Sequence, residues 1–269
     1  TESNKLNYDL FKRSLEEDFE FRRFRGYLMP MGQQWGIHID VPQWVQYQPL
    51  DNADEFNKYF ARLRQVGKLV DNDISNMRKG MAEGLVMPSF IMEQTLPQIS
   101  GIISKDPGES VFWDAMSKGK DLSAEQRESL SNELREIISQ DLNPAFQRLY
   151  DFVGKEYLPA CRSEAGIWAL PDGKDRYNLI VKYYTTLDLT FDEVHETGLK
   201  EVSRILGEME KIKDSLGFNG SVQEFNEYLK HDPGMFYSDK DSLMNGFRNI
   251  LRRMDAKLPG LFGNLPDAP

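Results

Sequence analysis

His195 and Glu196 stand side by side in a strongly helical stretch of the sequence. They begin as the zinc signature H-E-x-x-H begins, but the fifth position is Leu199. That signature depends on two imidazoles one helical turn apart, with a carboxylate beside them as base. Without the second ligand, His195 is read as a histidine bonding locally beside an apolar stripe. His38 falls in a stretch broken by glycine and proline, and His231 near a helix end, so both are read as structural or solvated. Cys161 could act as a nucleophile only beside a base, and no local signature supplies one, so it is read as an inert core thiol. Tyr177, Tyr183 and Tyr184 could line a substrate cleft, although aromatic side chains at helical spacing more often belong to a core. The acidic run Glu16, Glu17, Asp18 and Glu20, followed by Arg22, Arg23 and Arg25, is read as a solvated helix face. There is no G-x-x-x-x-G-K-[ST], no G-x-G-x-x-G and no G-x-S-x-G. The residues alone therefore contain no self-sufficient catalytic set.

The elements that must position these groups read as helices. Asn4 to Phe24 carries Leu6, Leu10, Leu15, Phe19 and Phe21 on an amphipathic pattern. Gly26 to Leu50 is a long aromatic-rich connection, in which Ile37, Ile39 and Val41 alternate as a short strand would, ended by Pro42. Asp51 or Asn52 caps a helix running from Phe56 through Val70, and a further helix covers Asp73 to Leu85. Pro88 opens the next helix, which Pro97 kinks. Ser123 and Gln126 form a capping box for a helix through Leu142, where Pro144 interrupts or bends it. Pro159 to Asp175 is a second long connection. Tyr177, Ile180, Val181 and Tyr184 then follow at i, i+3, i+4 and i+7, and that spacing outweighs their strand-favouring residue types. Thr190 and Glu193 make another capping box, ahead of an apolar face at Val194, Val202, Ile205, Met209, Ile212 and Leu216. Helices over 221–230 and 239–258 follow, and 259–269 reads as a connection cut short.

Composition agrees with one mainly helical unit over 1–269, an all-α fold with irregular connections and room for at most a short strand pair. Apolar residues make up 40% of the 269, enough for a core without disulfides. The longest stretch without a formal charge runs only from Gly26 to Ile39, while a spanning helix needs about 20 apolar residues. Thr1 to Asp9 is polar with no apolar h-region behind it, and a signal already removed leaves no trace. A net charge of −10 argues against nucleic-acid backbones as partners.

Several segments together resemble a bacterial family of zinc-metallopeptidase-like proteins, catalogued as domain of unknown function number 885. They are Arg78-Lys79-Gly80 through Gly84 and Pro88, Asn143-Pro144-Ala145-Phe146, and Tyr157-Leu158-Pro159. Gly166 through Gly173 to Tyr177, Tyr184-Thr185-Thr186, and Thr190 through Val202 with Arg204-Ile205 and Glu208-Met209 come next, with Leu258 through Phe262 last. The resemblance covers nearly the whole chain but implies a longer protein, of which this is the N-terminal half. It implies a zinc site in a His-Glu-Ala-x-Pro-Gly-His segment, and that segment is not in this sequence. No cofactor is thus expected on this chain, and zinc is expected in the C-terminal half, which would be its partner. The implied chemistry is a zinc-bound water attacking a peptide carbonyl, with a glutamate as general base.

On that resemblance, Gly173, Tyr177, Tyr184 and His195 are candidates for one wall of a substrate cleft, and no catalytic or metal-binding residue is expected here. The contrasting expectation is a complete helical binding or scaffold module without catalysis. The resemblance also raises export or lipid anchoring as an expectation. A half-protein should expose a large apolar surface where its other half belongs.

Overall fold

A computed structural model describes residues 1–265, and the last residues of the connection expected over 259–269 lie outside them. The chain is helical, with α1 Glu2–Arg22, α2 Ile37–Tyr47, α3 Ala53–Leu63, α4 Val66–Ala82 and α5 Ser89–Ile102. After 3-10 helix at Pro107–Glu109 and Val111–Ser117 come α6 Ala124–Ile137, α7 Asn143–Phe152, α8 Leu158–Ala160 and α9 Gly173–Thr185. The helices α10 Phe191–Ser215, α11 Val222–His231, α12 Lys240–Asp255 and α13 Leu258–Leu261 complete it. Among the described residues the only β pairings are isolated bridges, Gly32 with Trp35 and Pro88 with Arg162. The all-α reading holds.

The strand expected at Ile37, Ile39 and Val41 is a helix instead. Ile37, Val41 and Val45 are all buried, one helical turn apart, so a period of four wins over the alternation. His38 is correspondingly on a buried helix rather than in a loop. The helix expected from Phe56 to Val70 breaks at Arg64 and Gln65, and α4 then runs unbroken through Asp73. Both capping residues foreseen for 52 and 123 are in place. The Asn52 side chain accepts from the Glu55 N–H, and Ser123 and Gln126 bond reciprocally. Gly84, at φ +72°, ends the α4 turn, with the Leu85 N–H returning to the Gly80 carbonyl at 2.8 Å.

Pro144 does not interrupt its helix. The chain widens into a π-turn over Ile138–Leu142, where the Asn143 N–H reaches the Ile138 carbonyl. The same device recurs at Val153–Tyr157, just before Pro159. A proline ring clashes with the carbonyl four residues earlier, and the wider turn moves that carbonyl aside. The tail also differs from expectation, because Leu258–Leu261 is a short helix.

By its contacts the chain gathers into two compact units, residues 1–191 and 192–269. The first has a true core. Tyr59, Phe60, Met77, Phe112, Phe146 and Tyr157 are among its largest fully buried side chains, contributed by α3, α4 and α7 and the turns beside them. In this unit α4 and α5 both pack on α7, and α3 on α6. The second unit consists of amphipathic helices, and among its described residues Phe225 is the only buried apolar side chain.

Candidate functional site

In the first unit, α9 is set in place by its first turn. Gly173 is buried against the preceding turn, and a Cβ there would lie 2.5 Å from both the Ile167 carbonyl oxygen and the Trp168 Cα. Only glycine permits that approach. One turn on, the guanidinium of Arg176 donates to the Pro171 carbonyl at 2.8 Å and to the Phe24 carbonyl at 2.7 Å, with its centre 4.8 Å from the Phe24 ring centroid. Arg176 is almost fully buried, and that burial lowers its pKa, although two carbonyls and a ring face compensate the desolvation. The latch joins α9 to the residues just beyond α1. Near the far end of α9, Phe21 meets Tyr183 edge-to-face at 5.6 Å.

Between α1, α9 and the connection 186–190 this leaves a cleft of about 330 Å³. Asp175, Asn178 and Lys182 reach it from α9, Glu20 from α1, Arg23 from just beyond α1, and Asp188 from the connection. Lys182 pairs with Asp188 at 3.1 Å, and that hydrogen bond raises the ammonium's pKa. A smaller cavity of about 210 Å³ adjoins it, where Arg13, Glu16, Glu17 and Tyr183 meet the other side of Lys182. The Asn178 side-chain oxygen accepts from the Phe191 N–H at 3.3 Å and so ties the end of the connection to α9. The walls are polar and of mixed sign. Such a cleft can hold a group carrying both charge signs or several hydrogen-bonding atoms. Its charged groups can bind and orient such a ligand.

Gly173, Tyr177, Tyr184 and His195 do not line this cleft. Gly173 is a packing residue. Tyr177 and Tyr184, seven positions apart, share a face of α9 opposite to Asp175, Asn178 and Lys182. Neither is core: Tyr177 is 41% exposed with its ring 5.6 Å from Phe191, and Tyr184 is 80% exposed, edge-on to Tyr183. His195 is exposed on α10 and belongs to the second unit. The structure thus brings Gly173, Tyr177 and Tyr184 onto one helix and leaves the cleft to other side chains. Sequence reasoning took Glu20 and Arg23 for a solvated helix face and missed Asp175, Asn178, Lys182 and Asp188. Their one local signal was the i, i+3, i+7 spacing of Asp175, Asn178 and Lys182, which any solvated helix face shares.

Other reactive groups are accounted for by burial. The Cys161 thiol is half-buried, and desolvation pushes its pKa up to about 11, which suits an inert thiol. His231 Nδ1 lies 2.8 Å from the Glu227 carbonyl oxygen, a local helix-end bond. His38 is only 3% exposed, and neither ring nitrogen has a hydrogen-bond partner among the described residues. Burial holds its imidazole pKa below the usual value, against the opposing pull of Gln98 and Asp40. Among the described residues no three His, Cys, Asp or Glu side chains are grouped to hold a metal ion, and no helix is long and apolar enough to cross a membrane.

Comparison with known proteins places this geometry in context. No curated protein matches the chain. Among solved structures, it is similar to a protein of Colwellia psychrerythraea described as a "putative lipoprotein", at 27% identity and a TM-score of 0.79. That match covers 90% of this chain and 43% of the other, so the chain spans less than half the length of the solved relative. The family described as bacterial protein of unknown function DUF885 matches residues 1–269 throughout, and the chain belongs to that family.

Proposed function

We propose that this chain is the non-catalytic helical half of a zinc-dependent, peptidase-like hydrolase and forms one wall of its substrate cleft. The observation that carries the reading is the mismatch of lengths. Nine tenths of this chain aligns with less than half of a solved relative, so the fold occurs as part of a larger protein. The open apolar surface of the second unit agrees with it. Among the described residues no group of side chains is placed to hold zinc, and on this reading no catalytic step runs through them. Their contribution is to bind and orient. The mixed-charge cleft between α1 and α9 suits a polar, extended peptide, with Lys182 and Arg23 facing carboxylate or carbonyl oxygens and Glu20 and Asp175 facing amines. Tyr177, on the opposite face of α9, and His195, in the second unit, would each serve as a hydrogen-bond donor to substrate outside that cleft. The relative's description as a lipoprotein supports export or lipid anchoring.

A second reading, a self-contained helical binding module, draws on the complete core of the first unit. One set of measurements separates the two. The full-length protein is analysed for bound zinc and for hydrolysis of a mixed peptide library, alone and as Tyr177→Phe, His195→Ala and Lys182→Ala. Bound zinc and turnover, with KM raised severalfold in the variants, are expected. Turnover unchanged in all three removes the cleft wall, and absence of zinc and turnover removes the hydrolase.

A further inference from the structure

The second unit holds a surface whose pattern names its occupant. Along α12, Leu243, Phe247, Ile250 and Met254 follow one another at steps of four, three and four, and Met244 and Leu251 widen the row on one side. None of the six is buried, and Phe247 is 56% exposed. Steps of four, three and four stay close to the 3.6 residues of a helical turn, so the row keeps to one face of α12, and such a face receives the side chains of a second helix. Arg248 and Arg253 border the row on its two sides, on a basic helix in a chain of net charge −10. The occupant is therefore an amphipathic helix with acidic flanks.

We infer that this occupant is a helix from the remainder of the same polypeptide, and that α12 is a principal dock between the two halves. This rests on the half-protein reading above. The solved relative leaves more than half of its chain unmatched by this fold, so a long tethered segment is at hand. A tether acts as an effective concentration of about millimolar, so a face of six apolar side chains is covered without a strong independent affinity. Coverage also answers an energetic need, because six large apolar side chains in water gain free energy when a neighbour buries them.

The test uses the full-length protein in a Cys161→Ser background. Ile250→Cys or Phe247→Cys is compared with Asn249→Cys, which lies on the opposite face of α12, by labelling with a water-soluble maleimide. Labelling at 247 and 250 at least tenfold slower than at 249, independent of protein concentration and abolished by denaturant, is expected. Equal rates at the two faces overturn the inference. Protection lost on dilution assigns the face to a second copy, and protection appearing only with anionic lipid vesicles assigns it to a membrane; either overturns it. Amide exchange in the unsubstituted full-length protein keeps the test open if a variant misfolds. Residues 241–255 should match α4 in protection, and exchange at the rate of a solvated helix overturns the dock. Neither readout involves activity. A protected Ile250 in a protein without zinc or turnover would end the hydrolase reading and leave the dock standing.

Discussion

The two units are built from helices of similar amphipathic quality, yet one closes around a core and the other does not. In residues 1–191 the apolar faces of α3 to α7 find each other, and Phe146, Phe60 and Met77 are wholly buried. In residues 192–269 the faces of α10 and α12 remain open, and Phe225 beside Phe218 and Tyr228 is the nearest approach to a core. The same hydrophobic period thus carries different energetic consequences. An apolar stripe stabilises a fold only when a neighbour removes it from water. Where no neighbour does so, helix formation rests on caps and local bonds. The Ser221–Glu224 capping box and the Lys213 ammonium, bonded to the Gly220 carbonyl at 2.6 Å, are examples.

The sharpest way to break this contrast is to delete large side chains from each unit. Phe146→Ala should destabilise the first unit by about 3–5 kcal/mol, since it opens a cavity in a closed core. Phe247→Ala in the chain of 269 residues should cost well under about 1 kcal/mol. Urea unfolding of both variants checks this, and comparable losses would mean that the second unit has a core of its own.

Glycines sharpen the comparison next. Gly173→Ala forces a Cβ against the Ile167 carbonyl and should cost about 1–3 kcal/mol. Gly207→Ala on α10 meets open space and should stabilise its helix by about 0.5–1 kcal/mol. Thermal unfolding followed by circular dichroism would register opposite signs.

Titration then probes the first unit from two sides. Burial raises the Asp73 carboxyl to about 6, above its unfolded value. Its contribution to stability is therefore present at low pH and lost as pH rises through about 6, and Asp73→Asn should gain about 1–2 kcal/mol at pH 8 and little at pH 4. His38 is shifted the other way, with its folded pKa depressed. Its contribution is present above the ordinary histidine range and lost as pH falls below it, so His38→Leu should gain most on the acid side. Stability measured from pH 4 to 8 should show the two gains at opposite ends, and gains at the same end would refute the assignment.

The smallest effect is expected at the surface of α10. Arg204 pairs with Glu201 and Glu208, both at 2.8 Å, in full contact with water. Arg204→Ala should leave the melting curve where it is, because exposed pairs are screened and costly to order.

Much of the fold was legible along the chain because its causes are local. The capping residues Asn52 and Ser123 act on N–H groups three residues away, and the apolar period of α9 overrode the strand-favouring types of Tyr177, Ile180 and Val181. The misreadings have physical reasons too. Ile37, Ile39 and Val41 satisfy a period of two as well as a period of four, and only burial of Ile37, Val41 and Val45 on one side decides between them. Pro144 looked like a break because a π-turn, which shifts one carbonyl, has no residue signature of its own. The cleft was least legible. Its walls come from α1, α9 and a connection far apart in sequence, and each contributes charged residues of the kind that cover any helix.

Sequence by itself determined the helical class, most helix boundaries and the family, because hydrophobic period, caps and a run of spaced motifs are properties of neighbouring residues. Tertiary structure alone decided which stripes are covered, that Arg176 latches α9 to the Phe24 carbonyl, and that the polar cleft lies behind Tyr177 rather than around it. Burial is a property of two surfaces at once, and a single stretch of sequence carries only one of them.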